Sequence, residues 1–143
     1  MLTAKEVLHR TVDAWNAGDE AGVLAQAAPD VELRSSGGLD YSGVEGFRQW
    51  YRLWADACPD RIVRYHNLVA EGEQLIGEGT FTGTHTGVLH LPTGDIPPTG
   101  RRVSADYVAV LRTSGGKITY MRHYFDVMDL MAQLGLVGAE AKV

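Results

Sequence analysis

The sequence is poor in cysteine: Cys58 is the only one in 143 residues. No intramolecular disulfide can form, which excludes a disulfide-framed secreted scaffold. A reducing, cytoplasmic setting is the expectation. Long apolar runs are missing too. A membrane helix needs about 20 consecutive apolar residues, and no stretch here approaches that length. The opening MLTAKEVLHRTVDAW lacks the basic segment and apolar run of a signal peptide. Basic charge is scarce: 13 Lys and Arg against 18 Asp and Glu leave a formal net charge of −5. Phosphate backbones are bound by basic faces, so no nucleic-acid partner is expected, and the Arg101–Arg102 pair is too small to reverse this. There is no phosphate loop, dinucleotide fingerprint or nucleophile elbow. His66, His85 and His90 form no close pair and no H-x-x-x-H pattern, so no metal is expected.

What is present suits one globular α+β domain over residues 1–143, with 45% hydrophobic and 22% charged residues. Thr3 and Glu6 read as a capping box. Ala4, Leu8, Val12 and Trp15 then make one helical face. Asp19 caps a second helix that reaches Ala27 and stops at Pro29. Residues 31–36 alternate as a short strand, broken by Ser-Gly-Gly. Ser42 with Glu45 reads as a second capping box. It opens a long helix through Phe47, Trp50, Tyr51, Trp54 and Cys58, ended by Pro59. Residues 61–70, 74–86, 101–112 and 117–126 read as strands, the last two joined by a Thr-Ser-Gly-Gly turn. A last helix spans 127–135. Helices first and strands after give three helices packed on a curved antiparallel sheet. Gly77, Gly79 and Gly83 suit the curvature.

Several local sequences carry a resemblance. Gly83-Thr84-His85-Thr86-Gly87, Pro98-Thr99-Gly100-Arg101-Arg102, Gly116-Lys117-Ile118 and Gln133-Leu134-Gly135 resemble the SnoaL-like polyketide cyclases of the nuclear-transport-factor-2-like superfamily. Lys117-Ile118-Thr119, Arg122 and Tyr124-Phe125-Asp126 look like the last strand of limonene-epoxide-hydrolase relatives, which share that fold. The resemblance implies a cystatin-like cone that binds a small apolar organic molecule. It implies chemistry without metal or cofactor, and a homodimer formed through the exposed sheet face.

The cyclases place a catalytic aspartate where this chain has His123, and a histidine where it has Ala109. The epoxide hydrolases use an Asp–Arg–Asp set whose positions fall on His123, Thr80 and Thr82. Both patterns are therefore altered at their chemical positions. The resemblance turns residues 119, 121, 123 and 125 inward, with Ala105, Tyr107 and Ala109 beside them. It also turns Glu78, Thr80, Thr82 and Thr84 inward, with Leu33 and Ser35 from the first strand. The expected catalytic set is His123 as proton carrier, Glu78 as its partner and Tyr107 as oxyanion donor. The expected substrate wall is Leu33, Ser35, Trp54, Thr80, Thr82, Ala109, Met121 and Phe125. Asp126 reads as a helix cap. Arg122 and Asp106 read as outer-face residues, and Cys58 as packed.

Three functions fit these expectations. The first is a cofactor-independent cyclase or isomerase acting on a small apolar carbonyl compound such as a polyketide. The second is an epoxide hydrolase. The third is a non-catalytic ligand-binding or dimerisation module. The sequence leaves open which of them holds. The discriminating point is whether His123 and Glu78 share one cavity.

Overall fold

Thr3 starts the first helix with a reciprocal cap: its hydroxyl accepts from the Glu6 N–H at 3.2 Å, and the Glu6 carboxylate accepts from the Thr3 N–H at 3.0 Å. The computed structural model describes residues 2–137. Helix α1 (Ala4–Asn16) buries Ala4, Val7, Leu8, Thr11 and Trp15, the single apolar stripe of a helix laid on a core. Asp19 caps α2 (Glu20–Leu24) through the Gly22 N–H at 2.9 Å. The expected extension of α2 to Ala27 is corrected. Strand β1 (Ala27–Ser35) starts there. Pro29 stands inside it, where the register against the last strand breaks between Ala27 and Glu32. A missing N–H costs little where the ladder is already interrupted.

Two consecutive glycines, Gly37 and Gly38, turn the chain with φ of +86° and +75°. A short strand β2 (Leu39–Ser42) follows, hidden in the sequence by its brevity. Helix α3 (Gly43–Ala57) buries Phe47, Trp50 and Tyr51. The expected Ser42–Glu45 box does not form. Ser42 makes no cap bond, and its hydroxyl donates to Glu32 at 2.7 Å.

The remaining chain is mostly sheet: β3 (Ile62–Glu71), β4 (Gln74–Thr84), a small hairpin of β5 (Leu89–Leu91) and β6 (Gly94–Ile96), then β7 (Arg102–Ser114) and β8 (Lys117–Phe125). The main sheet runs β2-β1-β8-β7-β4-β3. All its pairs are antiparallel except β1 with β8, which is parallel. Helix α4 (Val127–Gln133) closes the described fold, capped by Asp126 through the Asp129 N–H at 3.0 Å. Helices α1 and α3 pack on the concave side over Val31, Leu33, Leu75, Leu111 and Ile118. The result is a cone of curved sheet.

The facing of β4 corrects the sequence expectation. Leu75, Gly77, Gly79, Phe81 and Gly83 turn inward, and Glu78, Thr80 and Thr82 turn outward. The glycines are the reason. A Cβ on Gly77 would meet Leu68 at 2.6 Å and Tyr65 at 3.0 Å, and one on Gly79 would meet Tyr107 at 3.1 Å. Side chains from neighbouring strands fill the space at the glycines, so between Leu75 and Phe81 the inward face of β4 carries no side chain of its own. The even residues then look like the only patterned face.

Candidate functional site

The concave side holds a cavity of about 90 Å³, open at its mouth. Helix α1 contributes Leu8, Thr11, Val12 and Trp15, and α3 contributes Trp50 and Trp54. The sheet contributes Ser35, Val63, Tyr65, Phe81, Ala105 and Tyr107, then Met121, His123 and Phe125. Leu130 reaches in from α4. No carboxylate, lysine or arginine is among these residues.

His123 lies at the centre of the polar end. Register places it between Ser35 on β1 and Ala109 on β7. Its ring stacks on Trp50, with centroids 5.6 Å apart and planes 20° apart. The Tyr107 ring meets it edge-on, with centroids 5.3 Å apart at 88°. This wholly aromatic surrounding pushes the imidazole down to about 4, with burial as the only cause. His123 is therefore neutral at pH 7 and able to accept a proton from a bound molecule.

Tyr107 in turn packs edge-on against Tyr65, with centroids 5.6 Å apart at 80°. Burial pushes Tyr65 up to about 12. Tyr107 rises well above the ordinary phenol value, first by burial and then by the proximity of Tyr65. Both stay protonated at neutral pH, and a protonated phenol donates to a carbonyl or enolate oxygen.

The structure gathers only part of the expected set. His123, Tyr107, Ser35, Trp54, Met121 and Phe125 meet in the cavity. Glu78 does not: it is exposed on the outer face and accepts from Asn67 at 2.8 Å. Thr80 also points outward, donating to Asp106 at 2.8 Å beside His66. Thr82 shares that face, with Ile62 and Ser104 as its strand neighbours. Thr84 is held at the strand end by Asp60, its hydroxyl donating at 2.7 Å. Leu33 and Ala109 face inward but lie packed in the core, 1% and 2% exposed, and do not reach the cavity surface. Leu33 sits under Met121, its register partner, and the Ala109 methyl is too short to pass the His123 ring. Thr119 is displaced by a bulge opposite Arg112 and Thr113.

Sequence reasoning missed Tyr65, Phe81 and the α1 wall. An aromatic residue on β3 facing two inward glycines on β4 was the available signal for Tyr65. Among the described residues, no three His, Cys, Asp or Glu side chains are grouped to hold a metal ion. Cys58 is buried and pushed up to about 11, mainly by burial, which keeps it a thiol. His85 is also buried. Its Nδ1 accepts from the Thr99 N–H at 3.2 Å and lies 2.9 Å from the Thr99 hydroxyl, so it ties down the turn that follows β4.

An α+β cone of curved sheet, closed by helices around an apolar cavity, is the ketosteroid-isomerase-like class of fold. Solved structures share it. AclR from Streptomyces galilaeus, named as a candidate hydroxylase, is 26% identical with a TM-score of 0.77, over 94% of this chain and 86% of that one. TsrD from Streptomyces laurentii is 26% identical with a TM-score of 0.77, over 93% and 95%. A candidate SnoaL-like polyketide cyclase from Jannaschia sp. CCS1 is 20% identical with a TM-score of 0.81, over 94% and 93%, and shows the fold. No curated protein sequence gives a significant match. The model of the SnoaL-like polyketide cyclase family matches residues 5–134, and the chain belongs to that family.

Proposed function

We propose that the chain is a cofactor-independent acid/base enzyme acting on an uncharged, largely apolar carbonyl compound of the polyketide kind. The observation that carries this is the placement of one neutral imidazole beside two phenols at the end of a cavity without charged side chains. A ligand carbonyl accepts a hydrogen bond from Tyr107. His123 takes a proton from the carbon next to that carbonyl, giving an enolate that Tyr107 steadies. Returning the proton to another atom is isomerisation, and attack of the enolate on a second carbonyl is ring closure. A group near pH 4 is a weak base in isolation. Beside a forming enolate the imidazolium gains an opposite charge at short range in a dry site, which favours the transfer.

A second reading has its own support. No carboxylate stands in the cavity to orient or share the charge of His123. This suits a protein that binds such a molecule without converting it. It also weighs against epoxide hydrolysis, which needs an acid and a base together. The experiment offers a panel of mono- and polycyclic carbonyl compounds to the wild type, His123→Gln and Tyr107→Phe. Binding is followed by Trp fluorescence and conversion by mass spectrometry. Conversion by the wild type that is lost in His123→Gln while binding persists supports the enzyme. Equal binding with no conversion by any of the three proteins supports the carrier.

We further place the protein in a reducing compartment as a homodimer. Val69 and Ile76, 64% and 45% exposed, are register partners on the outer sheet face, an apolar pair that a second copy would cover. Sedimentation of the wild type and Ile76→Lys tests this, the variant being expected to run as a monomer.

A further inference from the structure

Among the described residues one arginine is buried. Arg61, just before β3, is 6% exposed. Its Nη2 donates to the Tyr51 hydroxyl at 2.6 Å. Its Cζ lies 5.1 Å over the Trp15 ring and 4.9 Å over the Tyr51 ring. Its Nε is buried with no partner. A guanidinium stays charged in proteins, and a buried charge normally has a carboxylate against it.

None of the groups around Arg61 supplies that counter-charge. From α1 come Trp15 and Asn16, and the Asn16 amide is occupied by the Val63 backbone at 2.9 and 3.0 Å. From α3 come Tyr51 and the neutral thiol of Cys58. From β4 comes Gly83. Asp60, the preceding residue, turns its carboxylate to the Thr84 N–H and hydroxyl, each at 2.7 Å, and lies 3.8 Å from Arg102. Among the described residues Arg61 forms no ion pair. One of the two aromatic faces that hold it belongs to the cavity wall: Trp15 lines the cavity and packs on Trp50 at 4.9 Å, which stacks on His123.

We infer that Arg61, which has no ion-pair partner among the described residues, supplies a positive field to the cone, and that this field selects ligands that ionise or react through an anion, namely phenols and enolisable ketones. The inference rests on the reading of the cone as the ligand site. Arg61 acts across Trp15 without touching the ligand, so it is a positioning residue. A molecule against Trp15 lies on the order of 10 Å from the guanidinium. At an effective dielectric near 20, a charge at about that distance moves a titration by about one unit. The groups that face His123 carry no charge to cancel the field. They are Tyr107 from β7 and Tyr65 from β3, both protonated, with Ser35 from β1, Trp50 and Trp54 from α3, Thr11 from α1 and Leu130 from α4.

The test titrates 2-naphthol bound to the wild type, Arg61→Lys and Arg61→Met, following naphtholate fluorescence. The naphthol is expected to ionise about one unit lower in the wild type and Arg61→Lys than in Arg61→Met. Rescue by lysine separates charge from shape. Arg61→Gln replaces the methionine variant if the latter does not fold. Equal bound naphthol titrations in charged and uncharged variants would overturn the proposal. These readouts are equilibria, so a lowered naphthol titration with no turnover of any carbonyl compound removes the catalytic reading and leaves the field standing.

Discussion

Trp50 covers one face of His123, with ring centroids 5.6 Å apart and only 20° between the planes. That contact keeps water off the imidazole and so contributes to its depressed ionisation. In Trp50→Leu the ring gains hydration, and its titration should move up by about one unit, toward the ordinary value near 6.5. An NMR pH titration of His123 reads this. An unchanged value would mean that the sheet side alone desolvates the ring. The variant should also lose about 2–4 kcal/mol of stability from the vacated indole volume.

The same residue sets a pH dependence. His123 ionises lower in the folded chain than in the unfolded one, so folding favours its neutral form. The resulting contribution is complete above about pH 6.5 and is lost as pH falls from there toward about 4. Its ceiling is about 3 kcal/mol, since the ring faces an open cavity. Urea melts at pH 7 and pH 4.5 should show a smaller loss for His123→Gln than for the wild type. Equal losses would place the acid sensitivity elsewhere.

Gly79 is needed for the space it leaves. A Cβ there would stand 3.1 Å from the Tyr107 Cζ, 3.2 Å from its hydroxyl and 3.2 Å from the Arg64 carbonyl. The backbone oxygen cannot yield, so the phenol must. Gly79→Ala should displace the Tyr107 hydroxyl and weaken ligand binding about tenfold, at a stability cost of about 1–3 kcal/mol from overpacking. Binding followed by Trp fluorescence, beside a denaturant melt, separates the two effects.

Gln133 fastens α4 over the cone. Its carboxamide accepts from the Ser104 N–H at 2.7 Å and donates to the Ser104 carbonyl at 2.9 Å, while Leu130 of the same helix lines the cavity. Gln133→Ala should cost about 1–2 kcal/mol and speed ligand release. Stopped-flow dissociation is the measurement. An unchanged rate would show that ligands leave by another side.

The outer-face residues provide the contrast. Glu78 and Thr80 were readable as site residues only if β4 kept a simple alternation with its side chains as evidence. Glu78→Gln and Thr80→Val should leave ligand binding unchanged, since both side chains bond outside the cone. A loss of binding in either would mean that the outer face communicates with the cavity through Tyr107, which borders both sides of the sheet.

The sequence by itself determined the class of fold and the capping of α1, α2 and α4, and the family resemblance carried by its motifs implied the inward facing of Tyr107 and His123. The fold class and the caps follow from local rules: cap residues at fixed offsets, helical periodicity and strand alternation. The facing of β4 was decided only in three dimensions. Three of its five inward residues are glycines, and what fills the space at Gly77 and Gly79 comes from β3 and β7, which no local pattern reports. The bulge near Thr119 and the parallel pairing of β1 with β8 are of the same kind. Arg61 shows the limit most plainly. Nothing in its local sequence marks it as buried. Packing instead turned Asp60 to Thr84 and pressed the guanidinium between Trp15 and Tyr51. Local sequence fixes which residues are available, and the competition among neighbours for the same buried space fixes what each of them faces.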